Sequence, residues 1–161
     1  DHAYDWWVNL KLRKVKIQIT PETTIGVHRG WLREAGTLSA KISMTFDMSE
    51  VDELIIRGHS WGGAIGMILA AIGNVGEGGR IDFKGYNMPM PFDANGLYWA
   101  LSRYKHTYAV WAHWKDIVWK LPGRFFRYAR TKDWPHLLNR YGKSALPFWE
   151  AHNDLPDGWK Q

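Results

Sequence analysis

Five residues constrain the fold of this chain more than any other stretch: Gly58-His59-Ser60-Trp61-Gly62. An apolar run with the composition of a β-strand, Leu54-Ile55-Ile56, comes before them, and small and apolar residues typical of a packed helix follow at 63–71. A Gly-x-Ser-x-Gly pattern between a strand and a helix is typical of a nucleophile elbow, the tight turn that exposes a reactive serine hydroxyl. The pattern predicts an α/β fold with Ser60 at the carboxyl end of a strand.

The predicted turn has consequences for backbone and charge. It forces Ser60 into a strained conformation, and we expect a side chain at Gly58 or Gly62 to collide with neighbouring atoms. The N-terminus of the following helix stabilises negative charge near the Ser60 hydroxyl. The alternative interpretation is an ordinary tight turn in an α/β domain.

Strand and helix patterns alternate along the rest of the chain. Strands are predicted at 15–19, 53–57, 81–86 and 107–113, and helices at 28–46, 60–72 and 94–104. The strand at 53–57 is expected to be buried. The spacing of the apolar residues in the first helix predicts one buried face, formed by Trp31, Leu32, Ala35, Leu38, Ile42 and Phe46. We expect 73–79 and 88–93 to be loops and 124–161 to be irregular with short helices. This alternation predicts a mostly parallel sheet flanked by helices, and the length of 161 residues predicts a single domain over 1–161.

Composition excludes several classes of site. The chain has no cysteine, so disulfides and thiolate metal sites are excluded and the compartment stays open. It has no apolar run long enough to cross a membrane. The histidines lack metal-ligand spacing and no phosphate-loop motif is present, so we predict no metal and no cofactor.

Charge and aromatic content bear on the partners. The formal charge is +5, and the basic residues cluster partly at 10–16 and partly at 115–132. This favours contact with an anionic surface, either phospholipid headgroups or nucleic acid. Eleven tryptophans suggest a substrate groove or interface lined with rings. The basic and aromatic residues of 111–134 are more typical of a solvated basic face than of a nucleic-acid site.

A serine nucleophile needs a base and an acid that orients the base. Asp116 follows the predicted strand 107–113, at the end where open α/β sheets place their sites, although a surface-loop aspartate would look the same. His136 and His152 both lie in the C-terminal part, from which a loop could fold back over the serine. The backbone N–H of Trp61 is one candidate oxyanion donor, and no second candidate is found between residues 1 and 56.

Four segments in this order resemble the class 3 lipases, the fungal-type lipase family. They are Asp5-Trp6-Trp7-Val8-Asn9-Leu10, Val27-His28-Arg29-Gly30-Trp31, the Ser60 segment through Ala64, and His113 through Pro122, with a looser likeness at 81–89. The resemblance covers roughly residues 5–122. It implies an α/β-hydrolase fold and cleavage of carboxylic esters, from lipids or small esters, through an acyl-enzyme intermediate.

The resemblance also implies roles for particular residues. Ser60 is the nucleophile, Asp116 is the acid, and the Trp61 N–H is an oxyanion donor. His152 is the preferred base because it resembles the late histidine of bacterial and phage members, whereas His136 follows Asp116 by only twenty residues, which is short for the family. Trp6 and Trp7 are candidate contacts with a lipid surface.

Two departures from the family pattern stand out. Trp61 replaces the usual leucine and puts a large ring at the acyl pocket. The family's R-G-T strand end, which carries the second oxyanion donor, would lie just before Asp1, so we expect a fold that is N-terminally incomplete with one sheet edge exposed. A non-catalytic binding or structural protein on the same scaffold is therefore the alternative function, and the oligomeric state stays open.

Overall fold

The computed structural model describes residues 13–73, 79–103, 107–113, 118 and 138–141. Six strands are present in these residues: β1 (Lys14–Gln18), β2 (Thr24–His28), β3 (Glu53–His59), β4 (Arg80–Tyr86), β5 (Thr107–His113) and β6 (Leu138–Tyr141). The helices are α1 (Arg29–Thr45), α2 (Ser60–Ile72) and α3 (Ala94–Ser102), and a 3-10 turn covers Met48–Glu50.

Four parallel strands form the main sheet, in the order β3-β4-β5-β6. Gly58 is level with Gly85, Gly85 with Val110, and Val110 with Leu138. Parallel neighbours need a crossover connection, and α2 and α3 lie in the first two. All four strands therefore end at one edge of the sheet, called the carboxyl edge below.

A separate antiparallel hairpin, β1–β2, is attached to the chain that follows β4. The N–H of His28 donates to the carbonyl of Pro91 at 2.9 Å, and the N–H of Asp93 donates to the carbonyl of Gly26 at 2.9 Å. Ile25 and Val27 of β2 are buried at 1% exposure each. Burial of these two side chains, rather than the length of the hairpin, fixes its position.

The core lies where α2 packs on β3 and β4. Phe83 of β4 and Met67 and Ile68 of α2 are fully buried. A Cβ built on Gly66 would lie 3.0 Å from Cγ2 of Ile56 and 3.2 Å from Cε2 of Phe83. The small residues of α2 thus let the helix backbone approach the sheet closely, and that approach sets the position of the first turn of α2.

The parallel α/β architecture, all three helices and the four predicted strands are confirmed. The helix expected at 28–46 is Arg29–Thr45, and the strand expected at 107–113 has those bounds. The helical face was predicted less well. Trp31 and Ala35 are buried, but Leu38 and Phe46 are 42% and 61% exposed because the later turns of α1 extend past the core.

Two strands were missed and one was misjudged. The segment 124–161 was expected to lack strands, which is wrong for β6, a short Leu-Asn-Arg-Tyr sequence whose pairing with β5 outweighs its weak propensity. β2 was also missed, because Gly26 interrupts its apolar pattern. β3 was expected to be buried, yet Ile55 is 54% exposed.

Candidate active site

Ser60 lies at the junction of β3 and α2, on the carboxyl edge of the sheet. It directly follows His59, the last residue of β3, and its φ of 52° places it in the left-handed region. This conformation costs an L-residue about 1–2 kcal/mol. The strained turn predicted for Ser60 is therefore present.

Close backbone contacts hold this turn in place. A Cβ at Gly58 would lie 2.6 Å from the carbonyl oxygen of Gly62 and 2.6 Å from Cα of Gly63. A Cβ at Gly63 would lie 3.0 Å from the carbonyl oxygen of Gly58 and 2.7 Å from Cβ of Met88. The strand and the helix therefore touch through two glycines, Gly58 and Gly63.

The collision expected at Gly62 is wrong. Nothing lies within 4 Å of a Cβ built there, and Gly62 is exposed on α2. Gly62 points outward because the helix has already begun at Ser60, so the residue that faces β3 is one position later. The spatial requirement of this elbow is thus Gly58 and Gly63, not the second glycine of the five-residue pattern.

A second strained residue lies at the end of the neighbouring strand. Asn87, which follows β4, has a φ of 47° and is fully buried, and its N–H donates to the carbonyl of Trp111 on β5 at 2.8 Å. Among the described residues, Ser60 and Asn87 are the non-glycine positions with positive φ. Sequence analysis did not single out Asn87, although asparagine tolerates this conformation better than most residues.

The N-cap residue of α2 does not cap the helix through its side chain. His59, at the N-cap, makes no capping hydrogen bond through its side chain. By contrast, Nδ1 of His28 accepts from the N–H of Trp31 at the start of α1, and Asp93 caps α3. The first N–H groups of a helix have no partner within it, and the backbone N–H of Trp61, in the first turn of α2, belongs to this group.

Aromatic side chains lie close to this edge of the sheet. Tyr86 and Trp111, level with each other on β4 and β5, stack with ring centroids 5.2 Å apart. Burial raises the pKa of Tyr86 above its ordinary value. The indole of Trp61 is 41% exposed and Tyr98 of α3 is 67% exposed.

The other predicted site residues, Asp116, His136 and His152, lie outside the described residues. Chain order nonetheless relates them to the strands. Asp116 comes three residues after the end of β5, and β5 lies two strands, or roughly 10 Å, from β3. His136 precedes β6, whereas His152 follows it.

The described residues contain no group of three or more metal-ligating side chains. Within the same part of the chain, no helix has both the length and the apolarity to span a bilayer.

Comparison with solved structures identifies the fold. The chain matches the native propeptide complex of Rhizomucor miehei lipase with a TM-score of 0.60 at 23% identity, over 78% of this chain and 42% of that one. It matches a triacylglycerol lipase described as having a serine protease triad with a TM-score of 0.59 at 21% identity, over 79% of this chain and 50% of that one. For lipase II from Rhizopus niveus the TM-score is 0.54 at 14% identity, over 78% and 49%.

These matches show an α/β-hydrolase-like fold, with a parallel sheet flanked by helices. The chain spans about two fifths to one half of the length of the lipases it matches. No protein-family profile and no curated protein matches the sequence.

Proposed function

We propose that this chain is a serine hydrolase that cleaves carboxylic esters, of the lipase or esterase type. Ser60 is the nucleophile, Asp116 the orienting acid and His152 the general base. The observation that carries the proposal is the positive φ of Ser60. This residue lies between a parallel strand and a helix whose N-cap side chain makes no capping hydrogen bond. In an ordinary tight turn, glycine would adopt the same backbone conformation without strain, so a strained serine would not be required.

Strand direction supports the choice of Asp116 and His152. Because β5 and β6 run parallel to β3, the chain leaves each of them at the edge where Ser60 stands. His136 comes before β6, whose first residue, Leu138, is already level with Gly58. His152 comes after β6, on the side where the chain leaves this strand at the edge that carries Ser60, and this chain order is why we prefer His152 as the base.

Chain length is compatible with this arrangement. β6 lies three strands, or roughly 15 Å, from β3, and ten residues separate Tyr141 from His152. An extended chain spans up to about 3.3–3.6 Å per residue, so this segment is long enough to reach Ser60 with several residues to spare.

The proposed reaction has two halves. The Ser60 hydroxyl oxygen attacks the ester carbonyl carbon while His152 takes the hydroxyl proton, and the Trp61 N–H donates to the resulting oxyanion. His152 then gives the proton to the departing alcohol, which leaves an acyl group on Ser60. Water then attacks this acyl group while His152 takes a proton from it. His152 returns the proton to the Ser60 oxygen as the bond between that oxygen and the acyl carbon breaks, which releases the carboxylic acid and restores the serine.

The structural neighbours and the exposed aromatic residues support our choice of substrate class. The matched proteins include triacylglycerol lipases. Trp61, beside the nucleophile, and Tyr98 are exposed rings of the kind found at lipid–water boundaries. We therefore propose lipid esters or small esters as substrates, with contact to a lipid surface through these rings.

The test is covalent labelling by a fluorophosphonate probe. Wild-type protein is expected to be labelled, and Ser60→Ala is expected to lose the label. Ser43→Ala, which removes an exposed serine of α1, is the matched control and should label like wild type. Labelling that survives Ser60→Ala, or no labelling of folded wild type, contradicts the proposal.

The alternative is a non-catalytic binding or structural protein on the same scaffold. It is motivated by the oxyanion donors, because Trp61 is the single donor candidate that we can name in the described part of the chain. Loss of one such donor typically costs about 10²–10³ in rate. Hydrolysis of short nitrophenyl esters that Ser60→Ala abolishes would exclude this alternative.

A further inference from the structure

The loop that follows β4 is buried over most of its length. Residues 87–92 are all buried, although loops usually run over the surface because their backbone polar groups need partners. Backbone hydrogen bonds attach this loop at both ends. The N–H of Asn87 donates to a carbonyl of β5 at 2.8 Å, and both Pro91 and Asp93 bond to β2 at 2.9 Å. The main sheet and the hairpin therefore fix the position of the loop together.

Met88, near the start of this loop, fills a slot that two glycines leave open. A Cβ built on Gly63, in the first turn of α2, would lie 2.7 Å from Cβ of Met88. A Cβ built on Gly85, near the end of β4, would overlap Sδ of Met88 and lie 3.1 Å from its Cγ. Met88 is 2% exposed, so it is enclosed between the helix and the strand.

The slot adjoins the turn that carries Ser60. Gly63 contacts Gly58 on one side and Met88 on the other. Gly58 is level with Gly85, the second wall of the slot. The first turn of α2 is thus held by β3 and by the loop after β4. A left-handed conformation at a serine persists only where the surrounding structure fixes it, so both contacts bear on the φ of 52° at Ser60.

We propose that Met88 is a positioning residue for the Ser60 hydroxyl. Its side chain supports the first turn of α2 through Gly63 and keeps Ser60 in the conformation that attack on an ester needs. This inference rests on the proposed function, in which Ser60 is the nucleophile. A shift of about 1 Å in a reacting group can cost about 10²-fold in rate, so loss of this support affects turnover more than substrate binding.

The first test compares substitutions of two methionines of the same loop. Met88→Ala is expected to lower kcat for a short nitrophenyl ester at least about tenfold per folded molecule, with KM little changed, and to slow fluorophosphonate labelling by a similar factor. Met88→Leu nearly conserves the volume of the side chain and should restore most of both rates. The folded fraction is measured by circular dichroism.

Met90→Ala is the matched control. Met90 is also 2% exposed and lies two residues further along the loop, so its loss is expected to lower stability to a similar extent. We expect its kcat and its labelling rate per folded molecule to equal those of wild type. Equal losses in the two alanine variants, or no loss in Met88→Ala, would overturn the proposal.

The second test exchanges bulk across the slot. Gly85→Ala alone adds a Cβ that overlaps Sδ of Met88 and is expected to slow labelling. In the double variant Gly85→Ala/Met88→Ala this overlap is gone, and the added methyl group occupies part of the empty slot. The double variant should therefore lose at least about fivefold less than the product of the two single losses. Losses that simply multiply would contradict a shared slot.

Amide hydrogen exchange separates this inference from the proposed function, because it needs no hydrolysis. In α2, the N–H groups of residues 64–66 bond to the carbonyls of the first turn, 60–62. We expect them to exchange at least about fivefold faster in Met88→Ala than in wild type, and at the wild-type rate in Met90→Ala. If folded wild type is neither labelled nor hydrolytic, the proposed function fails, and faster exchange in Met88→Ala alone still supports the role of Met88 in holding the turn. Exchange that is unchanged in Met88→Ala, or equally fast in both variants, overturns that role.

Discussion

Replacing each glycine of the elbow pattern by alanine tests the contact between β3 and α2. A Cβ at Gly58 would lie 2.6, 2.6 and 2.7 Å from three backbone atoms of Gly62 and Gly63. Ordinary van der Waals contact begins near 3.4 Å, so the strand and the helix would have to separate by about 0.8 Å. Overpacking typically costs about 1–3 kcal/mol, and here no flexible side chain can move away.

We therefore expect Gly58→Ala to lower the free energy of unfolding by about 3 kcal/mol. For a domain of this length, that corresponds to a fall in Tm of about 6–12 °C. The ester hydrolysis proposed for this chain should fall further than the folded fraction does, because displacement of α2 moves Ser60 and the Trp61 N–H together.

Gly62→Ala is the matched control from the same five-residue pattern. The added Cβ meets open space on an exposed helical turn, and alanine is favoured over glycine in helices by up to about 1 kcal/mol. We expect unchanged or slightly raised stability. The assay is urea and thermal unfolding followed by circular dichroism. Equal destabilisation by the two substitutions would refute the close-contact explanation.

Three further substitutions test single features of the structure. Ser60→Gly should be about 1 kcal/mol more stable than Ser60→Ala in urea unfolding, because glycine relieves the strain at a φ of 52°; equal stability would contradict that strain. Tyr108→Phe should raise the free energy of unfolding by about 1 kcal/mol, since it removes a buried hydroxyl that has no hydrogen-bond partner among the described residues; a loss of stability would show that the hydroxyl has a partner elsewhere in the chain. Asp93→Ala should lower the Tm through loss of about 1 kcal/mol, because Oδ1 of Asp93 accepts from the N–H of Gly96 at 2.9 Å; an unchanged Tm would show that this cap contributes nothing.

The fold was largely predictable because its strongest patterns are local. The run Leu54-Ile55-Ile56 before a Gly-x-Ser-x-Gly pattern predicted a strand, a turn and a helix, and all three are present. β2 and β6 were not predictable in this way. Gly26 interrupts the apolar pattern of β2. β6 is short and polar, and its pairing with β5, which lies far earlier in the chain, decides its conformation.

The site was predictable at Ser60 and less so around it. The Gly-x-Ser-x-Gly pattern predicted the strained conformation of Ser60. Which glycine contacts the strand depends on the residue at which α2 begins. Because α2 begins at Ser60, the contact is made by Gly63 and not by Gly62. Gly63 and Met88 are 25 positions apart in the sequence, so no local sequence pattern predicts the contact between them. The roles of Asp116 and His152 rest on resemblance and chain order, and they remain predictions.

The parallel order of the sheet also determines when the elbow can form during folding. Glu53 pairs with Arg80, Asp82 with Thr107, and Val110 with Leu138, so every pairing in the main sheet closes a loop of 25 or more residues. Such non-local pairing is slow, whereas the β1–β2 hairpin closes a short loop and forms early. Near the turn at Ser60, Gly63 packs closely against Met88, which follows β4. We therefore expect Ser60 to reach its strained conformation late, after the β1–β2 hairpin has formed.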